Sequence, residues 1–223
     1  MHIETFTLGE LQENGYLVFD AERAAAVAVD PGDCPEPMIA RLDKTRGKLL
    51  AILLTHGHWD HIAGVRELAD RMSGAAHDAP VYLHEADVPL YDHVIEQAAL
   101  FGFHAEPQPP VDRTVKDGDV LDFGPLHVEV IHTPGHTPGG VCYRISDAGV
   151  QSVADGTSAA VFVGDTIFAG GVGRTDLPGG SWNQLLRSIR TKILTLDDAV
   201  ILYPGHGPAT TVGAERATNP FLA

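Results

Sequence analysis

The first half of the chain alternates between β-type runs and apolar residues at helical spacing. The predicted strands are Ile3–Thr7, Tyr16–Asp20, Ala25–Val29, Leu49–Thr55 and Val81–His84. Turn signals separate the early strands, at Asn14-Gly15 and Pro31-Gly32. The predicted helices are Glu36–Thr45, Ile62–Met72 and Val88–Leu100. A proline-rich loop at 105–111 follows the last helix.

The second half repeats this pattern. The predicted strands are Val120–Phe123, His127–His132, Val141–Ile145, Ala160–Gly164 and Val200–Tyr203. An amphipathic helix carrying Trp182, Leu185 and Ile189 follows the glycine-rich loop 170–180, and a short helix comes last. Segment 147–158, mostly small and polar, predicts a surface hairpin loop. Two strand-rich halves with interspersed helices indicate layered α/β packing, with two sheets face to face and the helices outside. No linker favours two independent domains.

Composition narrows the possible partners of this 223-residue chain. Thirty acidic against fifteen basic residues give a net charge of -15, which disfavours nucleic acid and anionic membrane as partners. No apolar run approaches the roughly 20 residues of a spanning helix, and the start lacks a secretory pattern. We therefore expect a cytoplasmic protein. Only Cys34 and Cys142 are present, so we expect two buried small hydrophobes rather than disulfides or a thiolate metal site.

The densest group of candidate ligands is the segment THGHWDH at 55–61, directly after an apolar strand. It offers His56, His58, Asp60 and His61 within six residues. Imidazole nitrogens and carboxylate oxygens suit zinc, iron or manganese, and a tight loop at a strand end can aim alternate side chains at one point. An exposed histidine-rich loop would carry the same residues, so the segment alone favours a metal site without establishing it.

Three later strands end in the same style. TPGHT at 133–137 presents His136, the apolar strand before 165 ends in Asp165, and YPGHG at 203–207 presents His206. If these ends share one sheet edge with the first motif, five imidazoles and two carboxylates converge. One metal needs three or four protein ligands, so seven candidates divide into two sites that share a carboxylate. The other histidines lack this setting and are expected at the surface or in packing: His2, His77, His84, His93, His104, His127 and His132.

The motifs THGHWDH, TPGHT, GDTIFAGGVGR and YPGHG, in this order, resemble the metallo-β-lactamase superfamily nearly end to end, and within it the small glyoxalase II-like (hydroxyacylglutathione hydrolase-like) branch. The resemblance implies an αββα sandwich of two mixed sheets flanked by helices, as one domain over 1–223 without a C-terminal helical substrate domain. It implies two divalent metal ions, zinc foremost and iron or manganese otherwise. The implied ligands are His56, His58 and His136 for the first ion and Asp60, His61 and His206 for the second, with Asp165 bridging.

The expected activity is hydrolysis of a small-molecule thioester by a hydroxide held between the two metals, since the metals lower the pKa of the bound water from about 15.7 toward roughly 7. Asp60 is the expected proton carrier. Asp30 either orients a ligand imidazole or simply forms a turn. Arg174, in the glycine loop, either meets a substrate carboxylate or pairs with Asp176. Without the helical region that binds glutathione in full-length glyoxalase II enzymes, the carrier thiol and the acyl group stay open, as does the oligomeric state.

The main alternative is a persulfide dioxygenase of the same superfamily, with one iron held by His56, His136 and Asp165. A noncatalytic metal-binding or redox partner protein is a weaker alternative, because the sequence carries no extension of a kind that receives electrons. A β-lactamase would be exported, and an RNA nuclease would present a basic surface, so the sequence disfavours both.

Overall fold

The computed structural model describes residues 1–22, 24–72, 79–147 and 159–222. The chain divides into two compact units, Met1–Val115 and Lys116–Ala223, and each unit has its own six-stranded mixed sheet. The prediction of a single domain stays a prediction. Residues 148–158 of the predicted hairpin loop lie outside the described residues, and so does His77.

The sheet of the first unit has its strands in sequence order. Its first three strands are antiparallel neighbours, and from the third strand onward all neighbours are parallel. The carboxyl ends of strands three to six therefore share one edge. The elements are β1 (His2–Leu8), β2 (Glu13–Phe19), β3 (Ala25–Val29), α1 (Glu36–Thr45), β4 (Lys48–Leu53), α2 (Trp59–Ile62), α3 (Val65–Met72), β5 (Val81–His84), a 3₁₀ turn (Glu85–Asp87), α4 (Val88–Asp92), α5 (Val94–Leu100) and β6 (Arg113–Val115).

Helix α1 shows why the apolar pattern of this unit folds as predicted. Met38, Ile39 and Leu42 lie on one face at helical spacing and are buried in the core of the unit. Glu36 lies in the first turn, where a negative charge suits the helix dipole. The helix ends at Thr45, and the next residue, Arg46, adopts the left-handed conformation common at helix ends. The strand β2 is buried along its whole length and supplies the other side of this core.

The sheet of the second unit has the order β14-β13-β10-β9-β8-β7. Strands β10 and β13 are parallel, and β8 runs the same way because β9 is antiparallel to both β8 and β10. The carboxyl ends of these three strands therefore share one edge. The elements are β7 (Val120–Phe123), β8 (Leu126–His132), β9 (Val141–Asp147), β10 (Ala159–Gly164), β11 (Ile167–Phe168), β12 (Gly171–Val172), α6 (Trp182–Ser188) with a π-helical turn (Ile189–Ile193), β13 (Ile201–Pro204), β14 (Thr210–Thr211) and α7 (Val212–Thr218).

Several predicted elements need correction. The helix predicted over Ile62–Met72 is two helices, α2 and α3, because α2 already begins within the histidine motif and Gly64 then packs against the backbone of Gly32. The helix predicted over Val88–Leu100 is interrupted at His93. Strands β6, β11, β12 and β14 were not predicted, since two or three residues are too short to show a period.

The two cysteines differ in burial. Cys142 is fully buried, as expected, and burial raises the pKa of its thiol to about 11. The same expectation is wrong for Cys34, which is exposed in a left-handed backbone conformation next to the start of α1. Among the described residues, no helix is long and apolar enough to cross a membrane.

Replacing Leu185 by alanine should lower the free energy of unfolding by about 2 to 5 kcal/mol, because this side chain lies fully buried between α6 and the second sheet. The matched control is Leu186→Ala on the same helix, where the side chain is only partly buried and a smaller loss is expected. Urea unfolding followed by circular dichroism measures both. Equal losses would contradict the burial pattern of α6.

Candidate functional site

The histidine motif of the first unit occupies the loop after β4 and the first three residues of α2. His56, His58 and His61 are 2%, 8% and 0% exposed, and Trp59 is anchored in the core by stacking on Phe103 with ring centroids 4.8 Å apart. The ring of His56 lies 4.1 Å from that of His61 and 4.9 Å from that of His58. The structure thus brings the three imidazoles of the motif together, and their role as metal ligands stays a prediction.

Asp60 extends this group on the more accessible side. Its Oδ2 lies 3.9 Å from Nε2 of His61, and its side chain is 15% exposed. Short helix α2 is the reason for this placement, because Asp60 and His61 fall in its single turn while His58 precedes it in extended conformation. A carboxylate oxygen is therefore present beside a buried imidazole nitrogen, at a position that solvent reaches.

Asp30 orients two of these imidazoles. Its Oδ2 lies 3.0 Å from Nδ1 of His61 and accepts a 2.6 Å hydrogen bond from Oγ1 of Thr55, while its Oδ1 accepts from the Thr55 backbone N–H at 2.7 Å. Because the Thr55 hydroxyl donates its hydrogen bond to Asp30, its oxygen is left to accept from Nδ1 of His56 at 3.0 Å. The ligand atoms of Asp30, His56 and His61 all lie within 4.8 Å of one another. The structure therefore selects the orienting role for Asp30.

The backbone of Asp30 is in the left-handed region, with φ of 46°. Aspartate tolerates this conformation better than most residues, but it still costs about 1 to 3 kcal/mol. The conformation directs the carboxylate from the end of β3 back toward Thr55 at the end of β4. Sequence reasoning identified Asp30 but missed Thr55 and the buried Glu13, whose Oε1 lies 3.5 Å from Nδ1 of His61. Nothing in the local pattern around Glu13 indicates this contact.

The second unit brings together its own three predicted ligands. One oxygen of Asp165, Oδ2, lies 3.6 Å from Nε2 of His136 and 3.8 Å from Nε2 of His206. His136 is 5% exposed, and its Nδ1 lies 2.7 Å from the backbone carbonyl oxygen of Arg174. That ring nitrogen therefore donates, because a carbonyl only accepts. A single carboxylate thus stands between two imidazoles at the shared edge of β8, β10 and β13.

Two glycines permit these close approaches. A side chain at Gly135 would overlap the backbone of Leu185 in α6, and the φ of Gly135 is 140°. A side chain at Gly173 would overlap the carbonyl oxygen of Asp165 and come within 3.2 Å of Nδ1 of His136. The loop that carries the Arg174 carbonyl can pass this close to His136 only because residue 173 has no side chain.

The C-terminal helix α7 supports the β11–β12 hairpin of this loop. Buried Glu215 accepts from the backbone N–H of Gly170 at 3.0 Å and from Nδ2 of Asn219 at 2.7 Å. Asn219 also donates to the backbone oxygen of Gly171 at 3.0 Å. Sequence reasoning missed Glu215 and Asn219, because their partners lie more than forty residues away along the chain.

Arg174 pairs with Asp176, which is the second of the two alternatives considered for it. The guanidinium donates to both carboxylate oxygens, at 2.7 and 2.8 Å, and both side chains are exposed. This pairing lowers the pKa of the Asp176 carboxyl to about 2. A role for the Arg174 side chain in substrate binding stays a prediction.

The remaining histidines belong to local structure where the structure describes them. Nδ1 of His84 accepts from the backbone N–H of Ala86 at the start of a 3₁₀ turn, and His127 contacts Asp122 at 2.8 Å. Within the described ranges, no group of three metal-capable side chains includes either of them, or His2, His93, His104 or His132.

Gly173→Ala should lower the free energy of unfolding by about 1 to 3 kcal/mol, because the added methyl group forces the loop away from Asp165 and His136. The matched control is Gly171→Ala, where the nearest atoms would be those of Phe168 at 3.7 Å and the change should stay within about 0.5 kcal/mol. Urea unfolding compares the two. A Gly173 variant as stable as the Gly171 variant would contradict the close approach.

Arg174→Gln should raise the pKa of the Asp176 carboxyl from about 2 toward its ordinary value near 3.9. The folded pKa is depressed, so the pair stabilises the fold above about pH 4, and this contribution disappears as the pH falls through about 2. Titration of the side-chain carboxyl by ¹³C NMR measures the shift. The control is Arg187→Gln on α6, which should leave the pKa of Asp176 unchanged. An unchanged Asp176 pKa in the Arg174 variant would disprove the pairing.

The chain matches the Metallo-beta-lactamase superfamily over residues 8–206. It is 36% identical over 228 residues to "Hydroxyacylglutathione hydrolase GloC" of Haemophilus influenzae, and the match covers 100% of this chain and 98% of that protein.

Solved structures give the same relationship. TTHA1623 in a di-iron-bound form is 40% identical with a TM-score of 0.82, covering 98% of this chain and 100% of that one. The B3 metallo-beta-lactamase BLEG-1 is 36% identical with a TM-score of 0.84 over 100% of both chains. ETHE1 from Myxococcus xanthus is 26% identical with a TM-score of 0.75, covering 99% of this chain and 84% of that one. The predicted α/β fold with two mixed sheets flanked by helices is thereby confirmed, and the chain belongs to the Metallo-beta-lactamase superfamily.

Proposed function

We propose that this protein is a metal-dependent hydrolase that cleaves small-molecule thioesters of the hydroxyacylglutathione type. One observation carries the proposal: His56, His61 and His136 each direct Nδ1 at an oxygen atom, respectively Thr55 Oγ1, Asp30 Oδ2 and the Arg174 carbonyl. Metal-ligating histidines in proteins show this arrangement, because the acceptor holds the proton on Nδ1 and leaves Nε2 to bind the ion. His93 and His127 also direct Nδ1 at an oxygen atom, but neither is buried and neither belongs to a group of three metal-capable side chains among the described residues. The three histidines named here are buried and do belong to such groups.

The seven predicted residues are our proposed ligands. We assign His56, His58 and His136 to one ion, Asp60, His61 and His206 to the other, and Asp165 to both. The adjacency of Asp165 Oδ2 to two imidazole nitrogens supports the bridging role. Imidazole nitrogens with carboxylate oxygens suit zinc, and also iron or manganese. The di-iron-bound form of TTHA1623 is the reason to test iron alongside zinc.

Two divalent ions, when bound, polarise the scissile carbonyl and lower the pKa of a water from about 15.7 toward roughly 7. Asp60 is the proposed proton acceptor, at Oδ2, because this carboxylate is the accessible member of the group around His61. Asp30 keeps the proton of His61 on Nδ1 and so maintains the ring orientation throughout the reaction. Thr55 does the same for His56, because its hydroxyl donates to Asp30 and its oxygen accepts from Nδ1 of His56.

The proposed substrate is an acyl thioester of glutathione or of a similar small thiol. GloC is matched over 98% of its length, so nearly all of that hydrolase has a counterpart in this chain. Arg174 is the proposed contact for a substrate carboxylate, which would replace Asp176 on the exposed guanidinium. A net charge of -15 favours a small-molecule substrate over nucleic acid. A cytoplasmic location stays a prediction.

A mononuclear-iron persulfide dioxygenase is the second candidate function. It would need two histidines and one aspartate as iron ligands, and the adjacency of His136 and Asp165 supplies two of the three. His56 would be the third. We favour the hydrolase because Asp60 and His61 lie beside His56 and offer a further group of ligands.

We expect the purified protein to bind about two metal ions per chain and to cleave S-lactoylglutathione, because seven ligands exceed what one ion needs. Asp165→Ala should lose turnover and metal together. The matched control is Asp122→Ala, an exposed carboxylate of β7 in the same unit, which should retain both. Metal analysis by mass spectrometry and a thioester assay measure these properties.

Two further assays on the same sample separate the competing activities. A β-lactam substrate tests the likeness to BLEG-1, and oxygen uptake with glutathione persulfide tests the dioxygenase. One iron per chain with persulfide-dependent oxygen uptake and no thioester turnover would overturn the hydrolase. Thioester turnover without oxygen uptake would overturn the dioxygenase.

A further inference from the structure

The backbone of Gly57, between His56 and His58, is held from both sides by one later segment of the first unit. Its N–H donates to Oδ2 of Asp87 at 3.0 Å, and its carbonyl oxygen accepts from Nε2 of Gln97 at 3.0 Å. Asp87 ends the 3₁₀ turn after β5, and Gln97 lies in α5. We call Asp87 and Gln97 the Gly57 clamp.

The clamp is built into the interior of the unit. Asp87 is completely buried, and Gln97 also donates to the backbone oxygen of Leu90 at 2.6 Å, which ties α5 to α4. A side chain at Gly57 would come within 2.8 Å of the Asp87 backbone oxygen and 2.9 Å of Leu90 Cβ. Glycine is therefore required here by the close approach of this segment.

The same glycine makes the loop conformationally free, because glycine has the widest range of backbone angles. The two hydrogen bonds remove that freedom one peptide at a time. Asp87 holds the peptide plane between residues 56 and 57, and Gln97 holds the plane between residues 57 and 58. These two planes set the relative directions of the His56 and His58 side chains, whose rings meet nearly at right angles, 86°, with centroids 4.9 Å apart.

We propose that Asp87 and Gln97 are positioning residues of the metal centre, acting through the Gly57 backbone on the two imidazoles that flank it. The inference rests on the proposed function, since it assigns His56 and His58 as ligands of one ion. Neither positioning residue needs to touch an ion or a substrate. Their effect is to present both imidazoles in the binding geometry before an ion arrives, so that the ion does not have to order a glycine loop.

The test compares two glutamines that make the same kind of contact. Gln97→Ala loses two hydrogen bonds from Nε2 to backbone oxygens, those of Gly57 and Leu90. Gln108→Ala is the matched control, because Nε2 of Gln108 also donates to two backbone oxygens, of Ala63 at 2.9 Å and Glu106 at 2.7 Å. Gln108 additionally accepts from the Arg66 backbone N–H, so the control removes at least as much structure.

The readouts are zinc affinity by chelator competition, the visible spectrum of the cobalt-substituted protein, and urea unfolding of the metal-free protein. Gln97→Ala should weaken zinc binding by about 10- to 100-fold, as loss of groups that orient ligands does, and should alter the cobalt spectrum. Gln108→Ala should leave both unchanged while lowering the stability of the metal-free protein as much as Gln97→Ala does.

A conservative variant separates positioning from folding. Asp87→Asn retains an oxygen that can accept from the Gly57 N–H and should keep zinc affinity near that of the original protein, whereas Asp87→Ala should weaken it. Unchanged zinc affinity in Gln97→Ala, or an equal loss in Gln108→Ala, would overturn the clamp while leaving the proposed function intact. If the unmodified protein binds no zinc, iron or manganese, the proposed function fails, and the clamp fails with it.

Discussion

The histidine motif of the first unit depends on the buried carboxylate of Asp30. Asp30 is 2% exposed and accepts from the backbone N–H and the hydroxyl of Thr55, with Nδ1 of His61 as a third contact. A charge withdrawn from water needs such partners, because an unsatisfied buried carboxylate would cost several kcal/mol. The partners come from the end of the neighbouring strand and from the helix after it. Satisfying Asp30 therefore also joins β3 to the histidine loop and orients two imidazoles.

In the second unit, the imidazole of His136 is oriented by a neutral acceptor in place of a carboxylate. Nδ1 of His136 donates to the backbone carbonyl of Arg174, and that carbonyl is delivered by a loop which passes close to Asp165 because residue 173 is glycine. The strands β11 and β12 of this loop have only two residues each. A hydrogen bond from the Gly170 N–H to Glu215 of α7 therefore helps to fix the position of the loop.

What could be predicted from the sequence follows the range of each interaction. Helix α1 and strands β3, β5 and β7 have the predicted bounds because their apolar periods are local. The histidine motif was recognised because its members lie within six residues. By contrast, Gly57 meets Asp87 thirty positions later, and Gly170 meets Glu215 forty-five positions later. Buried Asp and Glu in such roles have no local signature, since the same residue types are ordinary on a surface.

These long-range contacts share a physical reason. Loops that present ligand side chains lack the regular hydrogen bonding of a helix or strand, so buried polar groups from other elements must satisfy their backbone. In both loops a carboxylate accepts from a backbone N–H, Asp87 from Gly57 and Glu215 from Gly170. In both loops a side-chain amide donates to a backbone carbonyl oxygen, Gln97 to Gly57 and Asn219 to Gly171. The geometry of the proposed ligands exists only when these long-range contacts have formed, so metal binding and folding stability should be linked in this fold.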